Sequence, residues 1–543
     1  MRRLRHVLCV AGLLAVSACS LLVESSATQC SNDGDCQTRG GDFAASVCSS
    51  GRCVGGAAAA CTTNKQCSDQ LRAPAICRAR DRRCGALLSP ECAHVFGDVT
   101  SDDTIVFGTI FSTTGTNGPS GIARQNSAEL ALNEIKQSVG GIRSGVDGKP
   151  RGLAIVECDD TVDSIKPATH LVDDVGVSAI VGIASSTRVT DVATSVTIPK
   201  GVLLISPTAT SSTLTSLPDR NLVWRTAPSD VFQSVVLVDQ LPALEAKYRA
   251  ENTVPAATTL RVSFLYINES YGLGLYEAVT RAGVLNGKPL GDAANAGLSS
   301  PLSYAPNPPD LEQQVVATLA ANPRPAIVVL FGSTEVITKF MMPLESRWGA
   351  AAPRPVYLLA DAAQKTELLD LVASDNGLRK RVRGSVPAPP RSSSNFKSFV
   401  FKYEGMFGAP APSVFGMAGT YDAIFLLAYS VAAAGPRALT GDELQMGFGR
   451  LVSGTPIDVG GTTMNTGFAA LASPGTFDVE GASGPLDFDL ATGEARSNID
   501  AWCIAKDGSG RPAFVPSKRL YDAKTSMMTG TFDVAGCLAG PAD

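Results

Sequence analysis

Histidine is nearly absent: 543 residues contain three, and His6 lies in a segment that reads as removable. That scarcity leaves little material for histidine-rich zinc sites or for most histidine-dependent hydrolases. Charge is also sparse, at 18% against the roughly 25% of an average soluble domain. No basic block follows the extreme N-terminus, and the net charge is -5. Phosphate backbones need clustered Lys and Arg, so no nucleic-acid partner is expected. A Walker loop, a nucleophile elbow and an H-E-x-x-H helix are missing as well. No catalytic residue, metal or cofactor is expected. Beyond the N-terminus no stretch reads as a membrane span. What is present is hydrophobic: 44% of the chain, enough to exclude general disorder and to bury several folding units.

The first residues carry an address. Arg2, Arg3 and Arg5 precede the apolar run Val7–Val16, which is too short for a stable span and reads as a signal h-region. Val16-Ser17-Ala18-Cys19 resembles the bacterial lipobox. Residues 1–18 are thus expected to be a lipoprotein signal peptide, with Cys19 acylated. The chain is expected in the cell envelope, anchored by lipid to a membrane and facing the periplasm or the cell surface.

Cysteine usage agrees with export. Of 14 cysteines, Cys9 leaves with the signal and Cys19 would carry lipid, which leaves an even set for disulfides. Eight fall into two similar blocks, Cys30, Cys36, Cys48 and Cys53, then Cys61, Cys67, Cys77 and Cys84. Neither block contains a C-x2-C pair or a histidine, so a zinc reading fails on spacing. Residues 19–92 read as a disulfide-held spacer too poor in large apolar residues for a core of its own. Each block allows three pairings. Later in the chain, Cys503 paired with Cys537 would tie down the C-terminal tail, leaving Cys92 to pair with Cys158.

From Thr104 onwards the pattern changes. Near-continuous apolar strands are expected at Thr104–Ile110, Leu153–Cys158, Ala179–Ile183, Val202–Ser206, Val262–Ile267, Ala326–Phe331 and Val356–Ala360. Such strands have both sheet faces covered, as in parallel α/β sheets. Between them Ala128, Leu132, Ile135 and Val139 share one helical face, as do Ile165, Ala168, Val172 and Val175. This alternation predicts a doubly wound α/β architecture.

The ordered strings IVFGTIFSTTGTNGPSG, ECDDTVD, AIVGIASSTRVTDVAT, GVLLISPTATSSTLT, LVWRTAPSD, FLYINESYGLGLYEAV and GPLDFDLATGE run from Ile105 to Glu494, within a region of resemblance that reaches about Ala505. Their order and spacing resemble the type I periplasmic binding proteins of the leucine/isoleucine/valine-binding family, the substrate-binding components of branched-chain amino acid ABC transporters. The resemblance implies two doubly wound α/β lobes joined by three crossing strands, with a ligand in the cleft between them. The first lobe would comprise residues 104–225 and 388–485, the second residues 226–387 and 486–543. Crossings are implied near Arg225–Thr226, Val386–Pro387 and Pro485–Phe488.

Ligands of open parallel sheets bind outside the carboxyl ends of the strands. There Ser185 and Ser186 open a helix, where N–H groups and a hydroxyl can meet an anion. The resemblance implies that Ser186 holds a ligand α-carboxylate. It further implies that the Thr208 carbonyl and the Thr210 hydroxyl receive an ammonium. Asp361 matches the family's acidic residue, one methylene shorter than the usual Glu, and Tyr271 matches an aromatic wall. Thr334 and Ser120 replace positions often aromatic in the family, which implies a wider or more polar pocket. The implied function is a solute-binding lipoprotein, not an enzyme, that delivers an amino acid or amide-like solute to an ABC permease. A sensory receptor built on the same lobes is the alternative.

Overall fold

The computed structural model describes residues 28–39, 46–49, 51–54, 61–143, 150–350, 352–388, 393–412, 414–435, 437–472 and 474–538. The signal segment and Cys19 lie outside the described residues.

The two cysteine blocks are built alike. Each has a short helix (Asp33–Gln37 or Asn64–Leu71) followed by a two-stranded hairpin, Val47–Ser49 with Arg52–Val54 or Ala75–Cys77 with Cys84–Ala86. Each joins its first cysteine to its third and its second to its fourth: Cys30–Cys48 and Cys36–Cys53, then Cys61–Cys77 and Cys67–Cys84. The second block is seated on the main body. Arg78 donates to the carbonyls of Asp173 (2.5 Å) and Asp174 (3.1 Å), and Arg80 to that of Val172 (2.9 Å). These carbonyls end the helix His170–Val175, where unpaired C=O groups attract cations. Asn64 adds bonds to the carbonyls of Val99 and Ser101.

In chain order the main body begins with strands β1 (His94–Phe96) and β2 (Ile105–Phe111), helix α1 (Gly118–Val139), and β3 (Leu153–Asp159). Next come β4 (Ala179–Gly182), α2 (Ser186–Val192), β5 (Leu203–Ser206) and β6 (Val223–Arg225). Helix α3 (Asp230–Glu251), β7 (Val262–Ile267), α4 (Ser270–Ala282) and β8 (Ser299–Tyr304) follow. The second lobe continues with β9 (Ile327–Phe331), β10 (Val356–Leu359) and β11 (Val382–Pro387). The chain then enters the first lobe again through α5 (Met417–Ala434), β12 (Asp487–Asp489) and β13 (Glu494–Arg496). It ends with β14 (Ile499–Lys506), β15 (Pro512–Asp522) and β16 (Met527–Thr529).

Two eight-stranded sheets result, ordered β12-β13-β6-β5-β4-β2-β3-β1 and β8-β7-β9-β10-β11-β14-β15-β16. Each centre is parallel, as apolar strands such as IVVLF require. Three of the four edges are antiparallel, β1 on β3, β12 on β13, and β14, β15 and β16 beyond β11, while the edge strand β8 pairs parallel with β7. In both sheets the first parallel strand, β2 or β7, has its sequence successor on one side and the next strand on the other. Such switch points leave a crevice at the strands' carboxyl ends, and those ends of the two lobes face each other.

The third crossing departs from expectation. From sequence, residues 486–543 belong to the second lobe, but β12 and β13 pair with β6 in the first. Packing explains this: Phe488 lies edge-on to Trp224 at 5.1 Å and stacks on Phe448 at 6.1 Å, inside the first lobe's core. The chain crosses only after Arg496, and Cys503–Cys537 then fastens the final helix to β14. A second departure concerns α5. It is apolar and long enough to cross a membrane, yet 94% of it is buried, packed against α1 as the first lobe's core helix. Cys92–Cys158 binds the end of the cysteine-rich segment to β3.

Candidate ligand-binding site

The first lobe presents its polar residues through a strained turn. A Cβ on Gly182, at φ +140°, would lie 2.2 Å from the Ile110 carbonyl, so only glycine fits. The next residue, Ile183, is β-branched and yet has φ 64°, a conformation that costs about 1–3 kcal/mol and is concentrated at functional sites. This turn delivers Ser185 and Ser186 to the start of α2. Ser186 is 4% exposed and accepts the Ser211 N–H at 3.2 Å, which leaves its O–H free to donate. Thr208 donates to the Ala184 carbonyl at 3.2 Å, stitching the two loops together. Arg225, at the end of β6, fixes the second loop from beneath. Its guanidinium donates to the Ser211 carbonyl at 2.7 Å and to the Thr215 hydroxyl at 3.0 Å, and it pairs with Glu494.

The second lobe brings an acid. Asp361, just after β10, accepts from the Tyr271 hydroxyl at 2.8 Å and from Gln233 Nε2 at 2.9 Å. The Tyr271 oxygen in turn accepts the Ala362 N–H at 3.3 Å. Burial pushes both Asp361 and Tyr271 above their ordinary pKa values.

A second acid, absent from the sequence expectations, stands beside it. Asp230 opens α3, immediately after the first crossing, and is 2% exposed. Its N–H is held by the Thr210 carbonyl at 2.7 Å. Neither carboxylate oxygen meets a donor in hydrogen-bond geometry among the described residues. Burial, and then the Asp361 charge, raise its pKa well above the usual range, against the opposing influence of the Thr210 hydroxyl and Arg225. Two buried carboxylates thus share one corner, and the nearby guanidinium of Arg225 is already paired with Glu494. In sequence Ser229-Asp230 reads as a plain helix cap, and Ser229 does accept the Val231 N–H; nothing local shows that Asp230 turns into the cleft corner. Gln233, one helical turn further on, joins Asp361 to Ser385 at 3.1 Å and was equally unmarked.

The lobes meet at this edge. Thr187 and Ser270 hydroxyls lie 3.2 Å apart, and Ser211 donates to the Ser270 carbonyl at 2.9 Å. Ser186, Thr208, Thr210, Tyr271 and Asp361 are therefore drawn into one connected neighbourhood. Ser120, in the first turn of α1, and Thr334, after β9, lie at the same strand ends, as does Ser185. No hydrogen bond links their side chains to this cluster among the described residues. Further along, Arg124 from the first lobe and Lys365 from the second form no ion pair among the described residues. Burial pulls Arg124 down to about 10, against the pull of Asp160. Lys365 is lowered by burial and then by Arg124.

No protein-family model matches this chain, and no curated protein does. Solved structures do. The branched-chain amino acid transporter substrate-binding protein LivJ from Streptococcus pneumoniae, in complex with isoleucine, is similar at TM-score 0.53 and 18% identity, over 76% of this chain and 99% of its own. The leucine-binding protein LivK from Thermotoga maritima is similar at TM-score 0.54 and 16% identity, over 76% and 97%. An ABC-transporter solute-binding protein from Rhodopseudomonas palustris, in complex with 3,4-dihydroxybenzoic acid, is similar at TM-score 0.53 and 18% identity, over 78% and 98%. At such identities the likeness is one of fold, and the fold is that of the type I periplasmic binding proteins.

Proposed function

We propose that this chain is an extracytoplasmic solute-binding protein that encloses an amino acid, or a similar small solute with a cationic group, between its two lobes. The observation that carries this reading is the Asp230–Asp361 corner. Two buried carboxylates are costly when the guanidinium beside Asp230, that of Arg225, is also engaged by Glu494, and a ligand ammonium would relieve both. Ser186 and the N–H groups opening α2 would take the ligand's carboxylate. Thr208 and Thr210 would complete the ammonium's shell, with Tyr271 closing it from the second lobe. Ligand touching both lobes binds the closed state better than the open one, and that difference in affinity drives closure. Delivery to an ABC permease is supported by two of the fold relatives, those from Streptococcus pneumoniae and Rhodopseudomonas palustris, which are described as transporter substrate- or solute-binding proteins. Sensing without transport is the second reading, favoured by the disulfide-stapled segment seated on the first lobe.

Thermal-shift screening of amino acids, amides and aromatic acids against the purified chain tests the solute class. Stabilisation by aromatic acids, and by no compound carrying an ammonium, would sink the reading. Membrane attachment is tested separately: Cys19→Ala should move the protein out of the detergent phase, and unchanged partitioning would reject the lipid anchor.

A further inference from the structure

Away from the cleft, a cluster of metal-ligand side chains takes no part in solute binding. The antiparallel pairing of β1 with β3 sets His94 directly opposite Glu157, and His94 Nδ1 lies 2.6 Å from Glu157 Oε2. Helix α1 covers that face of the sheet and carries Gln125 and Glu129 one turn apart, so both project to the same place. One donor atom from each of His94, Glu129 and Glu157 lies within 4.8 Å of the others. Glu157 is 7% exposed and Gln125 is 6% exposed. Gln125 and Glu129 are within hydrogen-bonding reach of the Glu157 carboxyl, and Gln125 Oε1 itself meets no donor in hydrogen-bond geometry among the described residues. The carboxyl and amide oxygens converging here outnumber the donors that His94 and Gln125 supply, an excess that a cation would relieve.

We propose that His94, Glu129 and Glu157 bind a divalent transition-metal ion of the zinc class, through imidazole Nδ1 and one oxygen of each carboxylate. An imidazole beside two carboxylates suits zinc, whereas magnesium and calcium prefer sites built from oxygen alone. The His94 side chain is 61% exposed, which gives the ion a path from solvent and leaves room for a water ligand. The ion would act as a clasp: it joins β1, the edge strand that follows the cysteine blocks, to α1 and β3 in the lobe's interior. Local spacing could not reveal the site, because its three ligands come from three separate elements.

Calorimetric titration of zinc into the full chain, purified without a polyhistidine tag, tests the proposal, with the visible spectrum of added cobalt as a second readout. One zinc should bind per chain and raise the melting temperature, and cobalt should develop ligand-field absorption. His94→Ala, Glu129→Gln and Glu157→Gln should each weaken zinc binding by at least about tenfold and abolish the thermal gain. If Glu157→Gln does not fold, the two variants on the solvent side decide. Absence of saturable zinc binding in the unaltered chain overturns the proposal, as does equal affinity in His94→Ala and Glu129→Gln. Solute binding in the cleft, measured in parallel, should be unchanged in all three variants, so the clasp and the solute-binding reading stand or fall separately.

Discussion

The two walls of the cleft are made of different materials. The first lobe offers hydroxyls and backbone groups on loops locked in place by a strained turn and by Arg225. The second lobe and the crossing helix offer two buried carboxyl groups. Burial and mutual repulsion raise the pKa of Asp230, and burial raises that of Asp361. The contrast shows where free energy is held: the first wall's loops are fixed before any ligand arrives, whereas the Asp230 carboxyl beside the second wall meets no donor in hydrogen-bond geometry among the described residues. Changes to the first wall's scaffold should therefore act on folding, and changes to the second on binding.

Breaking that scaffold should have the largest effect. Arg225→Ala would leave Glu494 buried without its partner, and such a loss typically costs about 3–5 kcal/mol. Urea denaturation should show that decrease in the ligand-free protein; a midpoint close to that of the unaltered chain would mean that solvent reaches Glu494.

The acidic wall should behave in the opposite way. With an ammonium-bearing solute, Asp361→Ala removes a charged hydrogen bond of about 1.5–3 kcal/mol, a loss of roughly 10- to 150-fold in affinity. Asp230→Asn should weaken binding in the same direction. Ligand-free stability should hold or rise slightly in Asp230→Asn, which removes an acid without a hydrogen-bond donor. It should fall by no more than about 1–3 kcal/mol in Asp361→Ala, which leaves the Tyr271 hydroxyl and Gln233 without their acceptor. Calorimetry and thermal melts on the same samples would separate these effects. A larger drop in ligand-free stability on Asp361→Ala would make the residue a structural cap.

Titration sharpens the comparison further. Both acids have pKa values raised above the ordinary 3.8. The ligand-free native state therefore holds protons that the unfolded chain has already released. Between the unfolded and the raised native values, stability from this corner falls as pH rises. A bound cation favours the ionised acids, so affinity should increase with pH over that same window, and protons should be released on binding. Titrations in buffers of different ionisation enthalpy would count them; proton uptake would contradict the assignment.

Ser186→Ala should have the smallest effect, about 0.5–1.5 kcal/mol for one neutral hydrogen bond, or roughly 2- to 12-fold in affinity. The N–H groups opening α2 remain to meet the ligand. A loss larger than that of Asp361→Ala would invert the proposed orientation of the solute.

Much of the frame was legible because it rests on local patterns. Unbroken apolar runs mark strands covered on both faces, and Val262–Ile267 forms a strand with those bounds. The serine turn after β4 was marked by its place at a strand end, where α/β sheets put their ligands, and the Asp after β10 by its match to the acidic residue of the resembling family. Asp230 was not visible, since a Ser-Asp pair before a helix looks the same whether it caps in solvent or turns inward. Nor was the late third crossing, which depends on Phe488 finding Trp224, far away in sequence.

By itself, then, the sequence determined the α/β class and the repeated cysteine blocks, because periodicity, strand composition and cysteine spacing act over a few residues. The two-lobed frame was implied by the resemblance of its ordered strings to a known family. Only the tertiary structure decided which cysteines pair within each block, where the chain crosses for the last time, that α5 is a core helix, and that Asp230 joins Asp361 in one buried corner. Those outcomes depend on burial and on contacts between distant segments: Arg225 meets Glu494 across 269 positions of sequence, and no local pattern encodes such a meeting.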